Sequence, residues 1–571
     1  MARGRWLDVL ACGLLLLLSW LLRARLLPWF EFSSDATDPI IAALRMLETG
    51  EVFHVDSVRF GYGRAWSYLP LVVGLDEGLG GFAERRIWAQ SLIAPTLYLA
   101  VRLLLTPWAA LPGSSWRLGC ARFVALLAGL SMVASQDLLQ NLLWGHHGYL
   151  GPEWAALVLL AGAGFYSAVK LRSWALLLGL ALALCVMNHP YAVVLLALPL
   201  VLLVEAYAAG HRRRAQAMGL ALGGFVVSLL PQLLAVLDRP GSEADLLESL
   251  VPLSTFSLSR FPAAAAGLFA NIAPLESLCY VVGFLVVVVL PASSLSGRLP
   301  RALSRPLSSL GLATALSFLL LLVLGLLSRQ VHNWHWRMLL PFGGSLSALA
   351  TAALLELALF AGQGQPSLRN SYRGLAALSA GLLLVALIGA AYLGMNTYRN
   401  PPWDQVESLQ QLQHIERIAA LEPVLSPTLP GGSLILAAGS PSESSYARTL
   451  PVTLNAVLSE RVGLGLREPG LPVVRFHLYL EGPLHWQRRL AGPLQAQGLK
   501  ILWQGRGSML LSGTGSEPIG AVETICSLSM GMDVRVDPPA DSSGLLKLLG
   551  QEQPEVSRSV LSAPSCRALL P

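Results

Sequence analysis

Two carboxylates, Asp35 and Asp38, follow the first long apolar run of the chain. A carboxylate there can take the proton of an attacking hydroxyl, and two together can hold a divalent cation such as Mg or Mn. Asp38 has a plainer role as well: it precedes Pro39 and a segment with apolar residues at helical spacing up to Gly50, so it reads as the N-cap of a short amphipathic surface helix. Asp35 then reads as a solvated loop residue or as the chemical one. Arg337 offers a different chemistry. A planar guanidinium gives two parallel hydrogen bonds to phosphate oxygens and so stabilises a phosphate that gains charge; its plain role is that of an arginine snorkelling to the membrane interface. Arg59 and Arg64 can supply the same contact from the segment after Asp38.

Histidines recur in the same set of segments, at His54, His146, His147, His189, His332 and His335. Neutral imidazole is a common metal ligand, but no pair here has the metalloprotease spacing on a helix. Polar lining of a cleft is the better reading for His147 and His335. Glu153 follows Pro152 at a helix start, where the helix dipole alone favours a carboxylate.

These residues must be positioned by a chain whose solvent is mostly lipid. The sequence has 571 residues, 54% hydrophobic and 13% charged, against about 25% charged in an ordinary soluble domain. Apolar runs of roughly 18–22 residues recur up to about residue 395. The net charge of +6 is placed by loop. Arg117 and Arg122, Lys170 and Arg172, His211 to Arg214, Arg298 to Arg305, and Arg369 with Arg373 fall in alternate connections, as the positive-inside rule requires. That pattern is not a nucleic-acid footprint, and no nucleic-acid partner is expected.

The expected fold is a polytopic α-helical membrane protein with roughly eleven transmembrane helices. Residues 1–395 form the membrane domain, and the N-terminus is cytoplasmic. A first outer loop covers 29–86, helix 2 covers about 87–106, and Ser135 to Gly151 is a further outer loop. Arg23 and Arg25 are expected to snorkel from the end of helix 1 to the outer headgroups. Helices 5 and 6 form a hairpin about Asn188-His189-Pro190. No small-x-small cleavage site follows the first run, so helix 1 reads as retained.

Residues 396–571 change character and read as a small extracytoplasmic α/β domain. Strand-like runs cover Ser433 to Ala438 and Pro472 to Tyr479, a strand pair covers Leu499 to Gln504 and Ser508 to Ser512, and Pro451 to Val462 is helix-like. Of six cysteines, Cys12, Cys120, Cys185 and Cys279 read as packing residues. Cys526 and Cys566 read as a disulfide in an oxidising compartment. A P-loop or nucleotide-binding glycine signature is missing, which argues against an ATP-driven pump within this chain.

The order of several segments resembles the GT-C superfamily of membrane glycosyltransferases. The likeness is to the bacterial branch related to protein O-mannosyltransferases and aminoarabinose transferases. It is carried by the acidic motif Asp35-Ala36-Thr37-Asp38 after the first helix, by Leu47-Glu48-Thr49-Gly50-Glu51, and by Gly61-Tyr62-Gly63 through Tyr68-Leu69. Gly148-Tyr149-Leu150-Gly151-Pro152-Glu153 and Arg337-Met338-Leu339-Leu340-Pro341 complete it, over roughly residues 7–360. The resemblance implies an enzyme that moves a hexosyl or pentosyl group, with inversion, from a polyprenyl-phosphate donor to a protein, lipid or glycan acceptor. It would act at the outer face of the plasma (bacterial inner) membrane, with the tail periplasmic or extracellular. In that reading Asp35 is the base or metal carboxylate, with Asp38 beside it. Arg337 holds the leaving phosphate, and Arg59, Arg64, Tyr62, His335, Glu153 and His147 line the substrate site, with Trp334 and Trp336 as stacking surfaces or as part of the interfacial aromatic belt. Many relatives carry Asp-Glu where this chain has Asp35-Ala36, which departs from a two-carboxylate metal site. The alternatives are a transporter or flippase of lipid-linked sugars, or a non-catalytic assembly subunit on the same scaffold.

Overall fold

A computed structural model describes residues 2–27, 43, 64–73, 78–111, 115–143, 150–167, 170–237, 258–269, 299–327 and 333–360. It also describes part of 370–393, and 432–439, 473–481, 484–504, 508–514 and 535–537. Seven helical stretches among these residues are long and apolar enough to cross a membrane, and the protein is an integral membrane protein.

Helix α1 (Ala2–Ala24) shows why the sequence sorts its faces. Leu7, Leu10, Leu14, Leu17 and Leu21 are exposed and form a stripe at helical spacing, suited to lipid. Leu15, Ser19 and Arg23, four residues apart, are buried against the bundle. Arg23 is fully buried, so it does not snorkel to headgroups. Its neighbours supply enough acceptors to hold the charge inside; Arg25, two residues on, is the exposed one.

The segment expected as a polar first loop is partly packed structure. Helix α2 (Arg64–Val72) buries Tyr68 and Val72, and Tyr68 stacks on Phe82 with ring centroids 6.1 Å apart. Helix α3 (Gly78–Ser91) begins well before the expected start of helix 2 and runs on, through a break at Leu92, into α4 (Ile93–Ala109). The apolar positions Phe82, Ala83 and Ile87 are interleaved with Glu84, Arg85 and Arg86, which masks the helix from a hydropathy reading. Helix α5 (Ser115–Ala134) follows. The expected outer loop after it opens with a further helix, α6 (Gln136–Leu143), with the Ser135 side chain accepting from the Leu138 N–H at 3.2 Å.

Helices α7 (Gly151–Ser167) and α8 (Leu171–Asn188) form the next antiparallel pair. A 3-10 segment (Pro190–Leu196) leads into α9 (Ala197–Ala208), which gives the expected hairpin at Asn188. Helix α10 (Arg212–Leu237) packs on α8, and a Cβ at Gly179 would run into the Ala221 carbonyl. Small residues permit this close approach, which in lipid is what drives helices together.

After the short α11 (Phe261–Phe269), α12 (Arg301–Leu327), α13 (Asn333–Arg337) and α14 (Leu340–Phe360) complete the described bundle. α14 packs on α4, α5, α7 and α12. Its apolar stretch is 89% buried, against 17% for α1, so α14 is the axis and α1 a lipid-facing wall. The charge of Glu356 within α14 is met by Arg117 (Nε to Oε2 3.0 Å, one terminal nitrogen to Oε1 2.6 Å) and by the Trp108 indole N–H at 3.0 Å. Glu205 is likewise met by Arg305, Tyr166 and Ser309. Cys12 and Cys120 are half-buried and Cys185 is buried, as packing residues would be.

In the tail, β1 (Gly432–Gly439), β2 (Val473–Glu481), β3 (Lys500–Gln504), β4 (Ser508–Thr514) and β5 (Arg535–Asp537) form one sheet in the order β3-β4-β2-β1-β5. β1 and β2 are parallel, with Ile435 opposite His477; the other pairs are antiparallel, with Leu478 opposite Leu511. Helix α15 (Leu484–Ala496) joins β2 to β3 and packs on β3 and β4; Leu490 and Leu494 on it are buried, as are Met509 and Leu511. The expected helix at Pro451 to Val462, Cys279, Cys526 and Cys566 lie outside the described residues.

Candidate active site

Antiparallel connectivity puts Lys170, Arg172, His211 to Arg214 and Arg301 at one end of the bundle, in the connections α7–α8 and α9–α10 and in the first turns of α8, α10 and α12. The opposite end is built from the C-terminus of α1, α2, α3, α6, the start of α7, the turn after α8, and α13.

The turn after α8 ties several of these elements together. The Asn188 side chain accepts from the Leu150 N–H at 3.0 Å and donates to the Ser67 hydroxyl at 3.0 Å, tying α8 to α2 and to the entry of α7. Nδ1 of His189 accepts the Tyr191 N–H at 3.3 Å, capping the 3-10 segment, whose first residue is Pro190. Pro190 has no N–H to satisfy, so this cap and the proline share one physical reason. His335 of α13 packs against this turn, with ring centroids 4.8 Å from His189 and 4.3 Å from Tyr191. Two residues on, Arg337 is 2% exposed. It is therefore not a snorkelling arginine, and Trp336, also buried, is not part of an interfacial belt. α13 itself packs on α6, α7, α11 and α12.

Glu153, in the first turn of α7, forms an ion pair with Arg86 of α3, with side chains 10% and 5% exposed. A helix dipole is thus not its only partner. Its second oxygen, Oε2, is buried and accepts no hydrogen bond. Arg23 lies within Coulombic reach of both Arg86 and Glu153. Its Nε donates to Gln90 Oε1 at 2.8 Å and a terminal nitrogen donates to the Met132 carbonyl at 3.0 Å. Gln90 passes the link on to the Leu138 carbonyl at 2.8 Å. Asp137 and Asn141 on α6 are also buried.

Of the residues expected from sequence, the structure brings Arg337, His335 and Glu153 to one end of the bundle. Asp35, Asp38, Arg59, Tyr62 and His147 lie outside the described residues, as does the side chain of Arg64, the first residue of α2. Arg23, Arg86, Tyr191 and Asp137 belong to the same end and were not read as site residues; His189, expected among the outer histidines, lies there too. Arg86 and Gln90 stand four residues apart on one helix face, a spacing that places both towards Arg23. Among the described residues, three or more His, Cys, Asp or Glu side chains nowhere gather as a metal site would require. Buried guanidinium groups in a low-dielectric setting can stabilise negative charge without reorganising.

No family model matches the chain, and no curated protein matches it. Among solved structures, the chain is similar to ArnT from Cupriavidus metallidurans bound to undecaprenyl phosphate, at 16% identity and TM-score 0.49, over 89% of this chain and 98% of that one. It is similar to the Archaeoglobus fulgidus oligosaccharyltransferase in complex with Zn and sulfate, at 10% identity and TM-score 0.45, over 85% and 69%. It is also similar to AglB from Archaeoglobus fulgidus in complex with an inhibitory peptide and a dolichol-phosphate, at 11% identity and TM-score 0.45, over 86% and 71%.

Proposed function

We propose that this chain is a membrane glycosyltransferase that moves a sugar from a polyprenyl-phosphate donor to an acceptor at the end of the bundle away from the basic loops. By the positive-inside rule that end is the outer, periplasmic or extracellular, face of a bacterial inner membrane, with the N-terminus cytoplasmic and residues 396–571 a separate domain outside. The observation that carries the reading is Arg337: a guanidinium 2% exposed, at that end, on a short helix seated against the Asn188–Tyr191 turn. Buried ionisable groups at the edge of a membrane bundle are candidates for function, and a guanidinium there suits a phosphate.

The reaction is a single displacement with inversion at the anomeric carbon. The acceptor oxygen forms its bond to that carbon as the bond to the phosphate oxygen breaks. The electron pair leaves with the polyprenyl phosphate, and the acceptor proton passes to Asp35. Arg337 donates to the phosphate oxygens as their charge grows. The buried Arg86–Glu153 pair and His335 line the acceptor and donor cleft, with Arg59, Arg64, Tyr62 and His147 from the outer segments. Asp35 and Asp38 are the residues that would hold a divalent cation, which would supply further charge stabilisation at the phosphate.

The test is release of polyprenyl phosphate from a panel of polyprenyl-phosphate sugars by purified wild type and Asp35→Asn. Release by wild type that falls by about 10²–10⁴ in the variant supports the reading. No release with any donor by well-folded protein, or equal release by the variant, overturns it.

A further inference from the structure

At the basic end, away from everything the transferase reading uses, the α9–α10 connection carries His211-Arg212-Arg213-Arg214 in a row. Arg214 turns inward, with a terminal nitrogen 3.5 Å from the Tyr166 carbonyl. His211, Arg212 and Arg213 are exposed. The carboxylate nearest to them in sequence, Glu205, is already held by Arg305, Tyr166 and Ser309. Among the described residues no ion pair reaches Arg212 or Arg213, so their charge stands open at this end.

α10 sorts its residues by face. Ala217, Met218, Ala221 and Phe225 are buried on the side that packs on α8 and α9. The opposite side is exposed and reads, in helical steps, Arg212, Gln216, Leu220, Gly223 and Val227. Polarity falls along it in one direction. A guanidinium comes first, then an amide about 6 Å further along the axis, then only apolar side chains and bare backbone. A Cβ at Gly219 or Gly223 would meet nothing within 4 Å. A phospholipid has the same order: a phosphate, ester carbonyls a short step deeper, then hydrocarbon. An amide turned towards lipid at that depth is costly unless an acceptor meets it. A second copy of the chain is the other occupant that an open glycine face can take. Two chains inserted alike would set Arg212 and Arg213 against their own counterparts, and like charges brought together at an interface oppose it. The open charge favours an anion.

We propose that the exposed face of α10 binds an anionic phospholipid of the leaflet at the basic end. Its phosphate sits on Arg212, with Arg213 beside it. An ester carbonyl accepts from the Gln216 amide, and an acyl chain lies over Gly219, Gly223 and Val227. A zwitterionic lipid brings the same phosphate with its own cation, so the open arginines select the anionic headgroup. The site does not depend on the transferase reading.

The test is a titration of the full chain in detergent, read by native mass spectrometry, with dioleoyl phosphatidylglycerol and dioleoyl phosphatidylcholine. Wild type prefers phosphatidylglycerol, and Arg212→Gln lowers that preference by about fivefold. Gln216→Leu weakens both lipids by about fivefold and leaves the preference unchanged. Misfolding does not produce that split between selectivity and affinity. Arg301→Gln, exposed at the same end on α12, changes neither. Equal binding of the two lipids by wild type, or Gln216→Leu without effect, overturns the site. So does a loss of preference in Arg301→Gln equal to that in Arg212→Gln, because the attraction would then belong to the whole basic end. A dimer in the same spectra that Gly223→Leu disperses overturns the lipid as the occupant.

Discussion

Removing one partner of the Arg117–Glu356 pair should damage the protein more than removing both. Glu356→Leu leaves the Arg117 guanidinium buried with 10% of its side chain exposed and takes the acceptor from the Trp108 indole. Breaking a buried pair in this way costs about 3–5 kcal/mol, and Arg117→Met, which strands the carboxylate on the axial helix, costs a similar amount. Against a total stability of about 5–15 kcal/mol, either single change brings the chain near its unfolding midpoint. The double variant Arg117→Met, Glu356→Leu fills the same space with apolar groups. It strands only the Trp108 N–H, for about 1–3 kcal/mol. The double should therefore be more stable than either single, with a coupling of several kcal/mol. Unfolding midpoints in detergent–SDS titrations of the four proteins measure this, and adding Trp108→Phe should recover part of the remainder. A double variant as unstable as the sum of the singles would refute the argument, because the two residues would then act independently, with no coupling between them.

Arg337→Gln should lower transfer by about 10²–10³ while the protein still inserts, and Arg337→Lys should recover only part of the loss, since an ammonium lacks the two-pronged donor geometry; turnover with saturating donor reads both. Gly179→Val should destabilise the bundle by about 1–3 kcal/mol, because its side chain meets the Ala221 carbonyl of α10; a midpoint unchanged from wild type would show that the α8–α10 contact yields freely.

The membrane character was legible because lipid demands long apolar runs, and the hairpin at Asn188 was legible because a proline follows a polar pair. Arg337, His335 and Glu153 stood out as polar residues at helix ends. Arg23 was misread because nothing local distinguishes a snorkelling arginine from a buried one. The difference lies in Gln90 and the Met132 carbonyl, which are 67 and 109 residues away in sequence. His189 was seen as one more histidine of the outer segments; its position against His335 depends on two turns far apart in the chain. The extent of α3 was hidden for another reason. A helix that buries Phe82 and Ile87 while turning Arg86 towards Glu153 has neither the hydropathy of a span nor the polarity of a loop. Four strands of the tail were legible in the sequence, because alternating apolar positions in Val473–Glu481 and the short apolar run Met509–Leu511 announce them locally, while the three-residue β5 carries no such signal.

The central place of α14 bears on how the protein is made. A segment that carries Ser345, Thr351 and Glu356 into hydrocarbon is a poor passenger for lipid alone. Its cation, Arg117, precedes it by 239 residues. Synthesis from the N-terminus thus sets the walls, and the countercharge within them, before the axis leaves the ribosome. The helix at the axis is made only after α4, α5, α7 and α12, the helices it packs on.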